Sequence, residues 1–105
     1  NAIVPTQWHL EVGNVLLGAE KRAYIDASAS EAFISRLESL PIITDSETTN
    51  KAFNRTLNLG RNYKLSSYDA AYLELAIRKS LPIATLDKDL CKAAVSTNVK
   101  LYQPS

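Results

Sequence analysis

The sequence predicts an α/β fold with a small parallel sheet, and two observations carry that reading. Apolar runs of about four residues, such as Ile83-Ala84-Thr85-Leu86, alternate with longer segments whose apolar residues recur every three to four positions. A strand that follows a helix as closely as Ile83 follows the helix opened by Ser66 reads as part of a parallel sheet. With 105 residues, 46% of them hydrophobic and 22% charged, the chain is long enough for one domain with a single core.

In order, residues 2–4 read as a short strand end, and Pro5 suits the first turn of a helix. Trp8, Val12, Val15, Leu16 and Ala19 form one helical face running to about Arg22. Gly13 and Gly18 weaken that helix by roughly 1 kcal/mol each, so close packing is the expected reason for them. Ser28 with Glu31 has the spacing of a capping box, opening a helix that carries Phe33, Ile34, Leu37 and Leu40. Pro41-Ile42-Ile43-Thr44 reads as a strand. A further helix starts near Asp45 or Ser46, displays Ala52, Phe53 and Leu57, and stops before Gly60 as a C-terminal cap. Arg61-Asn62-Tyr63-Lys64-Leu65 is then a loop.

Ser66 caps the next helix, with Asp69 in its first turn and Tyr72, Leu75, Ala76 and Lys79 on one face. The strand Ile83–Leu86 ends in Asp87. A short helix with Leu90, Ala93 and Ala94 follows, and then a last strand from Val99 to Tyr102. In parallel sheets functional groups collect at strand carboxyl ends and helix N-termini, which is where Asp69 and Asp87 fall. Two carboxylates meeting there suggest a hard-cation site, since magnesium and manganese prefer oxygen ligands. Each has a plainer reading as a helix cap, and Asp89 reinforces the helix after Asp87 or touches the site through water. Glu11, Glu20 and Glu74, taken alone, read as solvated helix residues. In a metal-free acidic site, repulsion should raise carboxylate pKa values.

The lone His9 has no neighbour at a spacing that suggests a general base. Cys91 reads as a small apolar residue, and Trp8, Tyr68 and Tyr72 as core or interface aromatics. Lys51 and Arg55 share a helix face at i,i+4, with Arg61 and Lys64 close behind. They form either an ordinary solvated surface or a strip that contacts RNA phosphates. A net charge of +1 argues against a protein that coats nucleic acid, and one cysteine excludes an internal disulfide and fits a reducing compartment. No apolar run is long enough to span a membrane. The chain opens Asn-Ala-Ile-Val-Pro, without Met or a signal-peptide pattern, which reads as processing or a fragment.

Three stretches together carry a resemblance. They are Val4-Pro5 with Trp8, Leu10-Glu11-Val12 and Asn14-Val15-Leu16; Leu65 with Tyr68-Asp69-Ala70-Ala71-Tyr72 and Leu75-Ala76; and Leu81-Pro82-Ile83-Ala84-Thr85-Leu86-Asp87 with Leu90. In this order and spacing they closely resemble the PIN-domain family, and within it the VapC-type ribonuclease toxins of prokaryotic toxin–antitoxin pairs. The resemblance covers nearly the whole chain, residues 1–105, and implies a three-layer α/β/α fold. It implies an acidic cluster that binds Mg2+ or Mn2+ and hydrolyses RNA, with Glu11, Asp69 and Asp87 as catalytic and metal-binding acids and Thr85 as the supporting hydroxyl residue. It also implies an RNA substrate, an antitoxin partner, a homodimer and a cytoplasmic location.

The sequence departs from the family at one point. The family's domain begins with an aspartate-bearing strand and one or two helices, and this sequence has no counterpart ahead of Val4-Pro5. The expectation is a domain without a principal metal ligand and without the middle strand of its sheet. Such a chain is the C-terminal part of a larger protein, a shortened one, or one completed by a partner. The alternative function is therefore an inactive module for oligomerisation or antitoxin binding, and a third reading is an unrelated α/β domain with capping aspartates.

Overall fold

The computed structural model describes residues 2–102 and is a mixed α/β structure dominated by helices. It divides into two compact units on either side of the Thr44–Asp45 bond.

The first unit pairs β1 (Ala2–Val4) with β2 (Ile42–Thr44) in parallel, in the register Ala2↔Ile42, Ile3↔Ile43 and Val4↔Thr44. A parallel pair needs a long crossover, supplied by α1 (Trp8–Lys21) and α2 (Ala27–Glu38). Pro5 is fully buried ahead of α1, and its carbonyl accepts from the Trp8 N–H at 3.1 Å, so it sits in the lead-in turn rather than in the helix. Along the expected face Leu16 is buried, but Val15 is 71% exposed. Close packing does not explain the glycines either. A Cβ on Gly13 would meet nothing within 4 Å, and one on Gly18 would meet only the end of Arg22 at 3.9 Å.

The start of α2 also corrects the sequence reading. Asp26, not Ser28, is the N-cap, and its carboxylate accepts from the Ala29 N–H at 2.8 Å. Ser28 and Glu31 therefore lie inside the helix. Phe33 and Leu40 are about half exposed, so Ile34 and Leu37 carry the more protected face.

The second unit begins with α3 (Thr48–Lys51), a π-helical turn (Ala52–Thr56) and α4 (Leu57–Tyr63). This run does not stop before Gly60. It reaches Tyr63 and ends at Lys64 in the left-handed conformation, φ 56°. Gly60 has a different role: a Cβ there would sit 3.1 Å from the Leu65 carbonyl, so the returning chain leaves no room for a side chain. Arg61, Asn62 and Tyr63, expected in a loop, are helical, and Phe53 is 92% exposed instead of facing the core.

The central helix of this unit is α5 (Ser67–Lys79), capped by Ser66 as its sequence predicts. Ala70, Ala71, Leu73, Leu75 and Ala76 are buried, while Lys79 is exposed. With α6 (Lys88–Ser96), α5 builds a core of Leu73, Ala76, Ile83, Leu90, Ala93, Ala94 and Val99. Both expected strands shrink to one parallel bridge, Ile83↔Leu101, made by Ile83 N–H to Lys100 O and Tyr102 N–H to Ile83 O. Leu86 is fully exposed, so the segment leading to Asp87 is extended chain rather than a ladder strand.

Candidate functional site

Asp69 and Asp87 both belong to the second unit, and each stands at the start of a helix. Ser66 Oγ accepts the Asp69 N–H at 3.1 Å, which fixes the first turn of α5 and places the half-buried Asp69 carboxylate there. Asp87 is the N-cap of α6, and its Oδ2 accepts the Leu90 N–H at 2.8 Å. Thr85 Oγ1 accepts the Asp87 N–H at 3.0 Å, so the supporting hydroxyl orients the backbone that carries the acid. Cys91 Sγ donates to the Thr85 carbonyl at 3.6 Å from a half-buried position. Asp89 is exposed in the first turn of α6.

The two acids feel each other. The Asp69 carboxyl is raised above the ordinary aspartate range, first by burial and then by the charge of Asp87, with the Ser66 hydroxyl bond opposing both. The direction is the one expected for a metal-free acidic pair, but desolvation is the larger cause. Two oxygen-donor acids, each at a helix start, have the ligand chemistry of a hard cation. Glu11 lies in the first turn of α1, in the first unit, and is half-buried. Among the described residues no three His, Cys, Asp or Glu side chains are grouped to hold a metal ion.

The basic residues are less of a strip than their spacing suggests. Lys51 ends α3 and Arg55 lies in the π-helical turn, where hydrogen bonds run i to i+5 and the i,i+4 alignment of an α-helix is lost. Arg61 donates to Asn58 Oδ1 at 3.3 Å on α4, and Lys64 forms its left-handed end. His9 is exposed and packs edge-on against Trp8, with ring centroids 5.0 Å apart. Tyr72 packs on the core as expected, whereas Tyr68 is 60% exposed.

Sequence reasoning missed one cluster. Glu74, read as solvated, is 2% exposed and accepts from Arg78 Nε at 2.7 Å and Nη2 at 2.9 Å. Arg78 also forks onto Asp45, through Nη1 to Oδ1 at 3.0 Å and Nη2 to Oδ2 at 2.7 Å. Thr48 Oγ1 donates to Asp45 Oδ2 at 2.7 Å. The Arg78 hydrogen bond, with help from Thr48, holds the Asp45 pKa down at about 2 despite its burial. The i,i+4 spacing of Glu74 and Arg78 was a readable signal for half of this cluster.

No family model, no curated protein and no solved structure matches the chain.

Proposed function

We propose that this chain is a metal-dependent endoribonuclease of the PIN type, acting on RNA as the toxin of a toxin–antitoxin pair. The reading rests on the three sequence stretches that resemble the family, and one structural observation supports it most. Asp69 and Asp87 start two different helices, and burial first, then the charge of Asp87, disfavours ionisation of Asp69. Asp69 and Asp87 would hold the ion; Glu11 is an acid that the resemblance alone implies.

A bound Mg2+ or Mn2+ supplies a lowered water pKa and charge neutralisation at the phosphate. The protein's own groups prepare the acids for that ion. The Ser66 hydroxyl bond stabilises the ionised form of Asp69 against burial and against Asp87. The Leu90 N–H holds one oxygen of Asp87 and fixes the direction of the other.

Incubation with RNA in Mn2+ and in EDTA tests the proposal, with Asp69→Asn, Asp87→Asn and Glu11→Gln variants of retained circular dichroism. The expected result is cutting in Mn2+ alone and a loss of at least about a hundredfold in each variant. Undiminished cutting by Asp69→Asn or Asp87→Asn would reduce these aspartates to helix caps.

A second reading, an inactive module for oligomerisation or antitoxin binding, is favoured by Leu10 and Leu17. They are 76% and 64% exposed and lie seven residues apart on one face of α1. Sedimentation of the purified chain, alone and in Leu10→Ser and Leu17→Ser variants, tests that surface.

A further inference from the structure

In the second unit, α4 and α5 flank a pocket of about 240 Å3 lined by Arg55, Asn58, Leu59, Asn62, Glu74 and Ile77. Asn58, Leu59 and Asn62 recur at the three-to-four spacing of one face of α4, and Arg55 reaches the same pocket from the π-helical turn just before it. The volume is below that of pockets for drug-sized ligands, and suits one small planar group.

The lining has three chemically distinct parts. Leu59 and Ile77 provide apolar walls. Asn58 and Asn62 present carboxamides, and an asparagine carboxamide pairs bidentately with the N6/N7 edge of adenine, an edge that pyrimidines lack. Arg55, exposed, supplies a cation. Arg61 occupies the Asn58 carbonyl oxygen at 3.3 Å, which leaves the Asn58 amino group as a donor.

The charge distribution says which part of a nucleotide goes inside. Glu74 is buried, and the Asp45–Arg78–Glu74 cluster holds two carboxylates against one guanidinium. A phosphate is disfavoured beside that excess negative charge, whereas a neutral base is not. The phosphate belongs with Arg55.

We propose that this pocket receives the base of an unpaired purine nucleotide of RNA, its edge read by Asn58 and Asn62 and its phosphate met by Arg55. The inference rests on the ribonuclease reading and adds a base preference to it. Glu74 and Ile77 follow Asp69 by five and eight residues on α5, or about 7–12 Å along the helix axis at the usual rise. That offset corresponds to a nucleotide near the cut rather than the reacting one.

The test is fluorescence anisotropy with short labelled single-stranded RNAs, purine or pyrimidine, in EDTA so that no cutting intervenes. Purine RNA should bind about tenfold more tightly than pyrimidine RNA. Asn58→Ala and Asn62→Ala should abolish that preference, and both sites are exposed helix positions where alanine preserves the fold. Arg55→Ala should weaken both RNAs equally and flatten the salt dependence. Ile77→Phe, which fills the pocket from α5, should reproduce the loss of preference.

Equal affinity for the two RNAs, no RNA binding at all, or a preference untouched by both asparagine variants would overturn the proposal. A parallel cleavage assay in Mn2+ separates the two readings. Cutting without base preference removes the pocket and keeps the nuclease, while purine-selective binding without cutting does the reverse.

Discussion

Arg78 pairs with two carboxylates that burial would otherwise penalise heavily, so its removal should be among the most damaging changes in the chain. Arg78→Ala leaves Asp45 and Glu74 buried without their cation and should cost about 3 kcal/mol or more in urea unfolding. The same cluster sets an acid limit. The Asp45 pKa is about 2 when folded and near 3.8 when unfolded, so the unfolded chain binds the proton first. The stabilisation is fully present above about pH 4, is lost as pH falls through about 2, and amounts to about 2 kcal/mol. Denaturation followed from pH 6 to 2 should show this slope, and Asp45→Asn should flatten it. The sequence exposed only part of the cluster. Glu74 and Arg78 are one helical turn apart, but Asp45 lies 33 residues from Arg78, and no local pattern encodes that encounter.

At the scale of elements, the most legible features were those made within one turn. Ser66 and Asp87 cap α5 and α6 because an i to i+3 bond depends only on neighbouring residues, and both carry over from sequence to structure. Ser28 failed as a cap because Asp26, two residues earlier, binds the Ala29 N–H and starts the helix sooner. Gly60 looked like a terminator but is a point of close approach to the Leu65 carbonyl, five residues on, where the chain turns back after the left-handed Lys64. Gly13 makes no close approach, which gives a clear expectation. Gly13→Ala should stabilise α1 by about 1 kcal/mol. The midpoint of thermal unfolding should rise by about 4 °C, and a fall would mean that the new methyl meets something in solution.

For the molecule as a whole, the α/β class and the parallel sense of pairing were readable, while the extent of the sheet was not. Ile83–Leu86 has strand composition, but a ladder needs a neighbour along its length, and Leu101 supplies one at a single residue. Burial is concentrated in α5, whose Ala70 and Leu73 are fully inaccessible. Native-state hydrogen exchange should find the slowest amides there, and exchange in α2, which buries only Ser30, should be faster by orders of magnitude. Slower exchange in α2 than in α5 would contradict that ranking.

The π-helical turn at Ala52–Thr56 also bears on which changes of length the gene tolerates. A π turn holds one residue more than the regular helix on either side. Deleting Asn54 should let the flanking turns fuse into one uninterrupted α-helix with the residues from Leu57 onward still in phase. The same deletion within α5 would swing every later side chain by about 100° and scramble the interior.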